Sequence, residues 1–236
     1  MSRLLVVNSK DRTNGTSMDF NVNMKQYMRN FNGQVPSQIK LVGCQFSNCI
    51  YNVNSHNNTF TFFETTGTSN ATATVTPGIY TGSTLLTALT AAMTSASGVS
   101  NSYSGTYSSS TLKYTIVASL HSFSFVVDSP LIGFYASQSS SLNLTGLYPA
   151  KLLTDYIVVQ TNVASTFVSS FANFGSFMIP LADCPTGTSF FLGKNQLPEI
   201  VGDLSPNINM SFTVSDPNGN LVDNNNFDII FSFEIC

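Results

Sequence analysis

The chain has 236 residues, 42% of them hydrophobic, which is long enough to bury a sizeable core as one domain. Only 9% are charged, against about 25% in an average soluble domain. Ser, Thr and Asn fill the polar share, so few charges need to be desolvated when a neighbour docks. The formal net charge is −3, yet Arg3, Lys10, Arg12, Lys25, Arg29 and Lys40 all precede residue 41. They are scattered and form no basic run, which argues against direct nucleic-acid binding.

In chain order, Leu4 to Val7 can form a short strand, followed by a polar, turn-rich connection from Asn8 to Thr16. Met18, Phe20, Val22 and Met24 then alternate, Lys25 to Phe31 reads as one helical turn or a loop, and Ile39 to Phe46 resumes strand composition. Thr59 to Glu64 and Ala71 to Thr76 follow as strands across Asn- and Gly-rich turns.

Ser83 to Met93 is the one helix: Leu85, Leu86, Ala88, Leu89, Ala92 and Met93 fall at helical spacing, Thr81 or Ser83 can cap the start, and Gly98 lies beyond the end. Its apolar stripe is expected to form a lid on one end of the β core. Ser100 to Thr111 reads as a flexible, low-complexity stretch. Leu112 to Ala118 and Phe123 to Val127 read as a hairpin-like pair, Leu131 to Phe134 as a short apolar segment, and Ser137 to Ser141 as a serine-rich loop. Asp155 to Gln160, Phe177 to Leu181 and Ser189 to Leu192 complete the strands before the C-terminal pair.

That pair is the strongest pattern in the chain. Ile208, Met210, Phe212 and Val214 alternate, as do Phe227, Ile229, Phe231, Phe233 and Ile235, on either side of the turn-rich Asp216-Pro217-Asn218-Gly219-Asn220. Phe212, Phe231 and Phe233 are expected to point into the core. Many short strands with one short amphipathic helix predict an all-β fold, a single antiparallel jelly-roll sandwich. The expected boundaries are a polar, basic N-terminal arm over residues 1–16 and one jelly-roll domain over 17–236. The sandwich is expected to fold without most of the arm, whose Arg3, Lys10 and Arg12 are candidates for contacts between subunits or capsomers.

No residues suggest catalysis. His56 and His121 sit in polar turns without an orienting partner, and no phosphate-binding glycine loop is present. Cys44, Cys49, Cys184 and Cys236 lack zinc spacing, and the Asp216 to Asp223 loop resembles a calcium loop but has Pro217 in it and no bidentate Glu. No cofactor or metal is expected. The run after Met1 is too short for a signal peptide and no stretch is long enough for a membrane span, so intracellular synthesis with reduced thiols is expected.

Several stretches resemble the penton and other single-jelly-roll minor capsid proteins of the double-jelly-roll DNA virus lineage, which includes virophages, polinton-like viruses and giant viruses. They are Asn8-Ser9-Lys10-Asp11-Arg12-Thr13-Asn14-Gly15-Thr16-Ser17 before Asp19-Phe20; Cys49-Ile50-Tyr51-Asn52-Val53 with Asn58-Thr59-Phe60-Thr61-Phe62; Val75-Thr76-Pro77-Gly78-Ile79-Tyr80 ahead of the helix; and Val214 to Asp223 before the last strand. The resemblance implies a non-enzymatic structural protein of the virion, a penton subunit forming homopentamers at icosahedral vertices beside major and minor capsid proteins. The alternatives are a minor capsid protein that cements capsomers and a lectin-like carbohydrate-binding module, the latter disfavoured by the absence of Trp. The sequence shows no room for a second domain, which counts against receptor binding or a spike role.

Overall fold

The structure is a computed structural model and describes residues 3–24, 39–162, 176–181, 184–194, 201–202 and 209–235. The turn or loop expected over Lys25 to Phe31 lies outside these residues, as do Asp203, Ile208 and Cys236. In chain order the strands are β1 (Arg3–Asn8), β2 (Asn14–Gly15), β3 (Asp19–Asn23), β4 (Ile39–Ser47), β5 (Thr59–Glu64) and β6 (Ala71–Thr74). After the helix α1 (Gly82–Ala96) come β7 (Tyr103–Ser108), β8 (Lys113–Ala118), β9 (Phe123–Phe125) and β10 (Asn143–Thr145). The chain then forms β11 (Tyr156–Thr161), β12 (Ser176–Pro180), β13 (Ser189–Gly193), β14 (Val201–Gly202), β15 (Asn209–Ser215) and β16 (Ile229–Ile235).

These elements fall into two compact units, Met1–Ile50 with Thr154–Cys236, and Tyr51–Leu153. Between β4 and β11 the chain therefore builds the second of these units. The apolar alternation on both sides of the junctions is the same, so the period carries no mark of the boundary.

The first unit is an antiparallel jelly roll. One sheet runs β1-β16-β4-β13, with β14 also on β4, and the other runs β12-β11-β15-β3-β2. Leaving aside the two-residue β2 and β14, the eight longer strands fall in the order first-eighth-third-sixth and second-seventh-fourth-fifth, the double Greek-key order of a jelly roll. Period-two alternation builds the shared core: Leu5 and Val7, Phe20 and Val22, Ile157 and Val159, Phe177 and Ile179, Met210, Phe212 and Val214, and Ile229, Phe231, Phe233 and Ile235 are all buried. Each fully buried side chain of this size contributes roughly 1.5–3 kcal/mol.

β4 breaks the period, since Ile39 and Leu41 are buried but so are Cys44 and Phe46. The register against β16 shifts between Ser232 and Phe233, with Phe231 opposite Cys44 but Phe233 opposite Leu41. This bulge inserts one residue and returns both halves of β4 to the inner face.

Three further expectations change. Phe227 is outside β16 and 47% exposed, because Asn225 and Asn226 take left-handed backbone (φ 51° and 58°) and turn the chain just before it. The Ser100 to Thr111 stretch contains a regular strand, β7, paired with β8 from Tyr103↔Ala118 to Ser108↔Lys113. And Leu4 to Val7 belongs to no loose arm: β1 pairs with β16 over its whole length, Arg3↔Ile235 to Asn8↔Ile230, with Leu5 and Val7 in the core.

The second unit has two three-stranded sheets, β10-β8-β7 and β6-β5-β9. Thr81 caps α1, accepting from the Thr84 amide while Thr84 Oγ1 accepts from the Thr81 amide, a reciprocal capping box. Gly82, the first helical residue, meets the Tyr107 ring so closely that a Cβ would lie 2.2 Å from its Cε1. Leu85, Leu86, Leu89 and Met93 pack with Phe60, Phe62, Tyr114, Ile116, Phe123 and Phe125. The helix thus covers its own unit's core, not the jelly roll's as expected.

Candidate functional site

Two kinds of place in the molecule could carry function: outer surfaces with exposed apolar or hydroxyl side chains, and one buried carboxylate. On the outer face of the β1-β16-β4-β13 sheet, Leu4 is 67% and Phe191 62% exposed, and Val6 is also bare. β1 and β13 are the two ends of that strand order, so the apolar positions lie at opposite sides of one sheet. Phe191 leans over Gly43, where a Cβ would stand 2.9 Å from its ring, so the glycine in the β4 bulge makes the seat for this aromatic.

Across residues 51–153 the sequence holds four charged side chains, Glu64, Lys113, Asp128 and Lys151. The outer faces of the second unit are ladders of hydroxyls instead. Thr59 stands opposite Thr74 and Thr61 opposite Thr72, the latter with their Oγ1 atoms 3.3 Å apart. In the other sheet Thr106, Thr115 and Thr145 form a row, with Thr115 and Thr145 Oγ1 2.9 Å apart. Ile79, Leu120, Val127, Leu142, Leu147 and Tyr148 are exposed outside the strands of the same unit. Such a surface can exchange hydrogen bonds and apolar contacts with a partner without desolvating charge.

Of the residues singled out from sequence, the structure brings Phe212, Phe231 and Phe233 into mutual ring contact. Phe212, Phe231 and Phe233 are buried in the jelly-roll core. Arg3 lies on β1 and Lys10 in the 3-10 turn that follows it. Arg12 is turned inward on its own chain: its guanidinium donates to the Ser9 carbonyl at 2.9 Å and stands 3.8 Å from Asp228 Oδ1. Ser9, wholly buried, donates to the same Asp228 and accepts from the Ile229 amide.

His56 and His121 enter their loops through backbone amides that donate to Asn54 and Asn101. Asp216 accepts from the amides of Asn218 and Asn220, which commits its carboxylate to closing its own turn. Among the described residues no group of three or more His, Cys, Asp or Glu could hold a metal ion, and no helix is long and apolar enough to cross a membrane.

Glu64 is the feature that sequence reasoning missed. It ends β5 at 2% exposure, the one charged side chain that is buried among the described residues. Four neutral donors converge on it: Ser97 Oγ at 2.7 Å, the Gly98 amide at 3.0 Å, Asn101 Nδ2 at 3.0 Å and Tyr103 Oη at 2.9 Å. Burial pushes its pKa up, but these donors outweigh burial and hold the carboxyl below the ordinary glutamate value. The signal was present in the period: in Thr-Phe-Thr-Phe-Phe-Glu, Phe60 and Phe62 face inward and Glu64 shares their phase.

No family model matches the chain, and no curated protein matches it. Among solved structures, the chain is similar to the crystal structure of the selenomethionine-labelled mavirus penton protein, with 12% identity, a TM-score of 0.47, and coverage of 100% of this chain and 99% of that one.

Proposed function

We propose that this chain is a structural capsid protein, the penton subunit that closes icosahedral vertices of a virion as a homopentamer and meets major and minor capsid proteins around it. The observation that carries the reading is the pairing of a jelly-roll unit with an inserted unit almost free of charge. The motif resemblance along the sequence supports the same reading. A closed ring is built from two different patches on each subunit. Leu4 and Val6 at one side of the first sheet and Phe191 at the other supply such a pair, each able to bury apolar area against a neighbour. Arg3 and Lys10, beside the first patch, suit contacts to adjoining capsomers.

The test is the mass of the purified full chain by size-exclusion chromatography with light scattering, together with its position in assembled particles. A five-fold ring burying roughly 800 Å² or more per partner is the expected result. A monomer at high concentration that is absent from vertices overturns it in favour of a cement protein, and specific retention on a glycan array without ring formation favours the carbohydrate-binding module.

A further inference from the structure

We propose that Glu64 and its four donors form an acid-release catch, which holds the second unit closed at neutral pH and opens it, but not the jelly roll, when that one carboxyl takes a proton. The geometry sets out the mechanism. Glu64 ends β5, Ser97 and Gly98 lie just past α1, Asn101 leads into β7 and Tyr103 starts it. Asn101 extends the cluster, since its Oδ1 accepts from the amides of Leu120 and His121 and its Nδ2 also donates to the His121 carbonyl. One buried charge therefore gathers the end of α1, the start of β7 and the turn between β8 and β9 onto β5. Phe62 and Phe123 pack edge-on against Tyr103 with ring centroids 5.5 and 5.1 Å away, directly behind the cluster.

Among the described residues no cation takes part, so the stabilisation comes from neutral donors that bond the carboxylate more strongly than the acid. A protonated carboxyl carries its own hydrogen and no charge, and cannot satisfy four donors as strongly. The elements packed around Glu64 offer no other group to compensate. α1, β6 and β9 hold no titratable residue. β7 holds Tyr103 and Tyr107, and Tyr103 stays protonated because burial and the adjacent Glu64 push its hydroxyl up. In the β8–β9 turn, His121 meets the cluster through its backbone. The unit's other charges are engaged elsewhere where their partners are known: Lys113 donates to the Leu147 carbonyl and Asp128 accepts from the Ala136 amide.

In the unfolded unit, glutamate takes its proton near its ordinary value of 4.5, whereas the folded carboxyl holds out to lower pH. The stabilisation is thus complete above the unfolded value and is lost as pH falls toward the folded one. The closed-to-open ratio drops by up to tenfold per pH unit in that window.

The experiment is hydrogen exchange of the full chain, corrected for intrinsic rates, from about pH 7 to about pH 3. Peptides of β5, β7 and β9 are compared with peptides of β4, β15 and β16. The expected result is loss of protection in the first set below about pH 4.5, with retention in the second set and a rise in binding of a hydrophobic dye. Tyr103→Phe keeps the ring but removes one donor, which brings the folded value closer to the unfolded one, and is expected to lower protection of the second unit at neutral pH and to shrink its acid-dependent loss. Glu64→Gln is expected to lower protection of the second unit at neutral pH and to abolish its acid dependence. Unchanged protection of the second unit down to about pH 3, equal loosening of both units, or an acid-dependent loss in Tyr103→Phe as large as in the wild type overturns the proposal. Should Glu64→Gln fail to fold, the wild-type profile and Tyr103→Phe decide the matter.

Discussion

Phe212 on β15 and Phe231 on β16 stack with ring centroids 4.8 Å apart and planes 14° from parallel, joining the two sheets of the jelly roll. Phe20 stacks on the other side of Phe212 at 5.1 Å, and Phe177 meets Phe231 edge-on at 6.2 Å. Contacts within this stack add to the burial of each ring. Phe231→Ala is expected to cost about 3–5 kcal/mol, as buried aromatic truncations do. Denaturant unfolding of the full chain, followed by exchange in β4 and β16, measures it; an unchanged midpoint would remove Phe231 from the core.

Deletion of residues 1–16 is expected to abolish soluble folded protein, against the sequence expectation of a dispensable arm. It removes β1, the inward Leu5 and Val7, and the buried Ser9 that links Asp228 to the start of β16. Arg12→Ala, by contrast, touches a half-exposed pair and should cost about 0.2–1 kcal/mol. Expression and circular dichroism of the two variants separate these outcomes.

Thr81→Ala removes one side of the capping box and is expected to cost about 1 kcal/mol in the second unit. Gly82→Ala should cost more, because its Cβ would run into the Tyr107 ring. Exchange of α1 peptides reads both, and a Gly82→Ala variant more stable than wild type would show that the Tyr107 ring moves aside freely.

Cys44 lies fully buried on β4, and burial pushes its thiol well above the ordinary range. Since the thiolate is the reactive form, Cys44 should resist alkylation until the jelly roll opens. Among the described cysteines the half-buried Cys49 should react first. Peptide mass spectrometry after brief iodoacetamide treatment at about pH 8 checks the order.

The features legible in the sequence are those set within one element. α1 with its Thr81 cap, the Thr59–Glu64 strand and the inward phase of Met210, Phe212, Val214, Phe231 and Phe233 all follow from spacing along the chain. β7 escaped because its inward positions, Tyr103, Gly105 and Tyr107, are interleaved with Ser and Thr. Gly105 has no side chain to signal burial, and a Cβ there would stand 2.3 Å from the Thr115 carbonyl. Glu64 escaped because a carboxylate at an apolar phase acquires meaning only once its donors are known.

Side-chain period and composition are local quantities, and they suffice to make this an antiparallel β protein with one amphipathic helix and a sparsely charged, hydrogen-bonding surface. Which strands are neighbours is visible only in the folded chain. β1 closes on β16 and Ser9 bonds Asp228 across 219 positions of sequence, and between β4 and β11 the chain builds a whole second unit. A strand's alternation states which face is buried but not whose hydrogen bonds complete its edge, since every backbone offers the same donors and acceptors. That choice is made by the packing of all the strands at once, and it gathers four donors around Glu64.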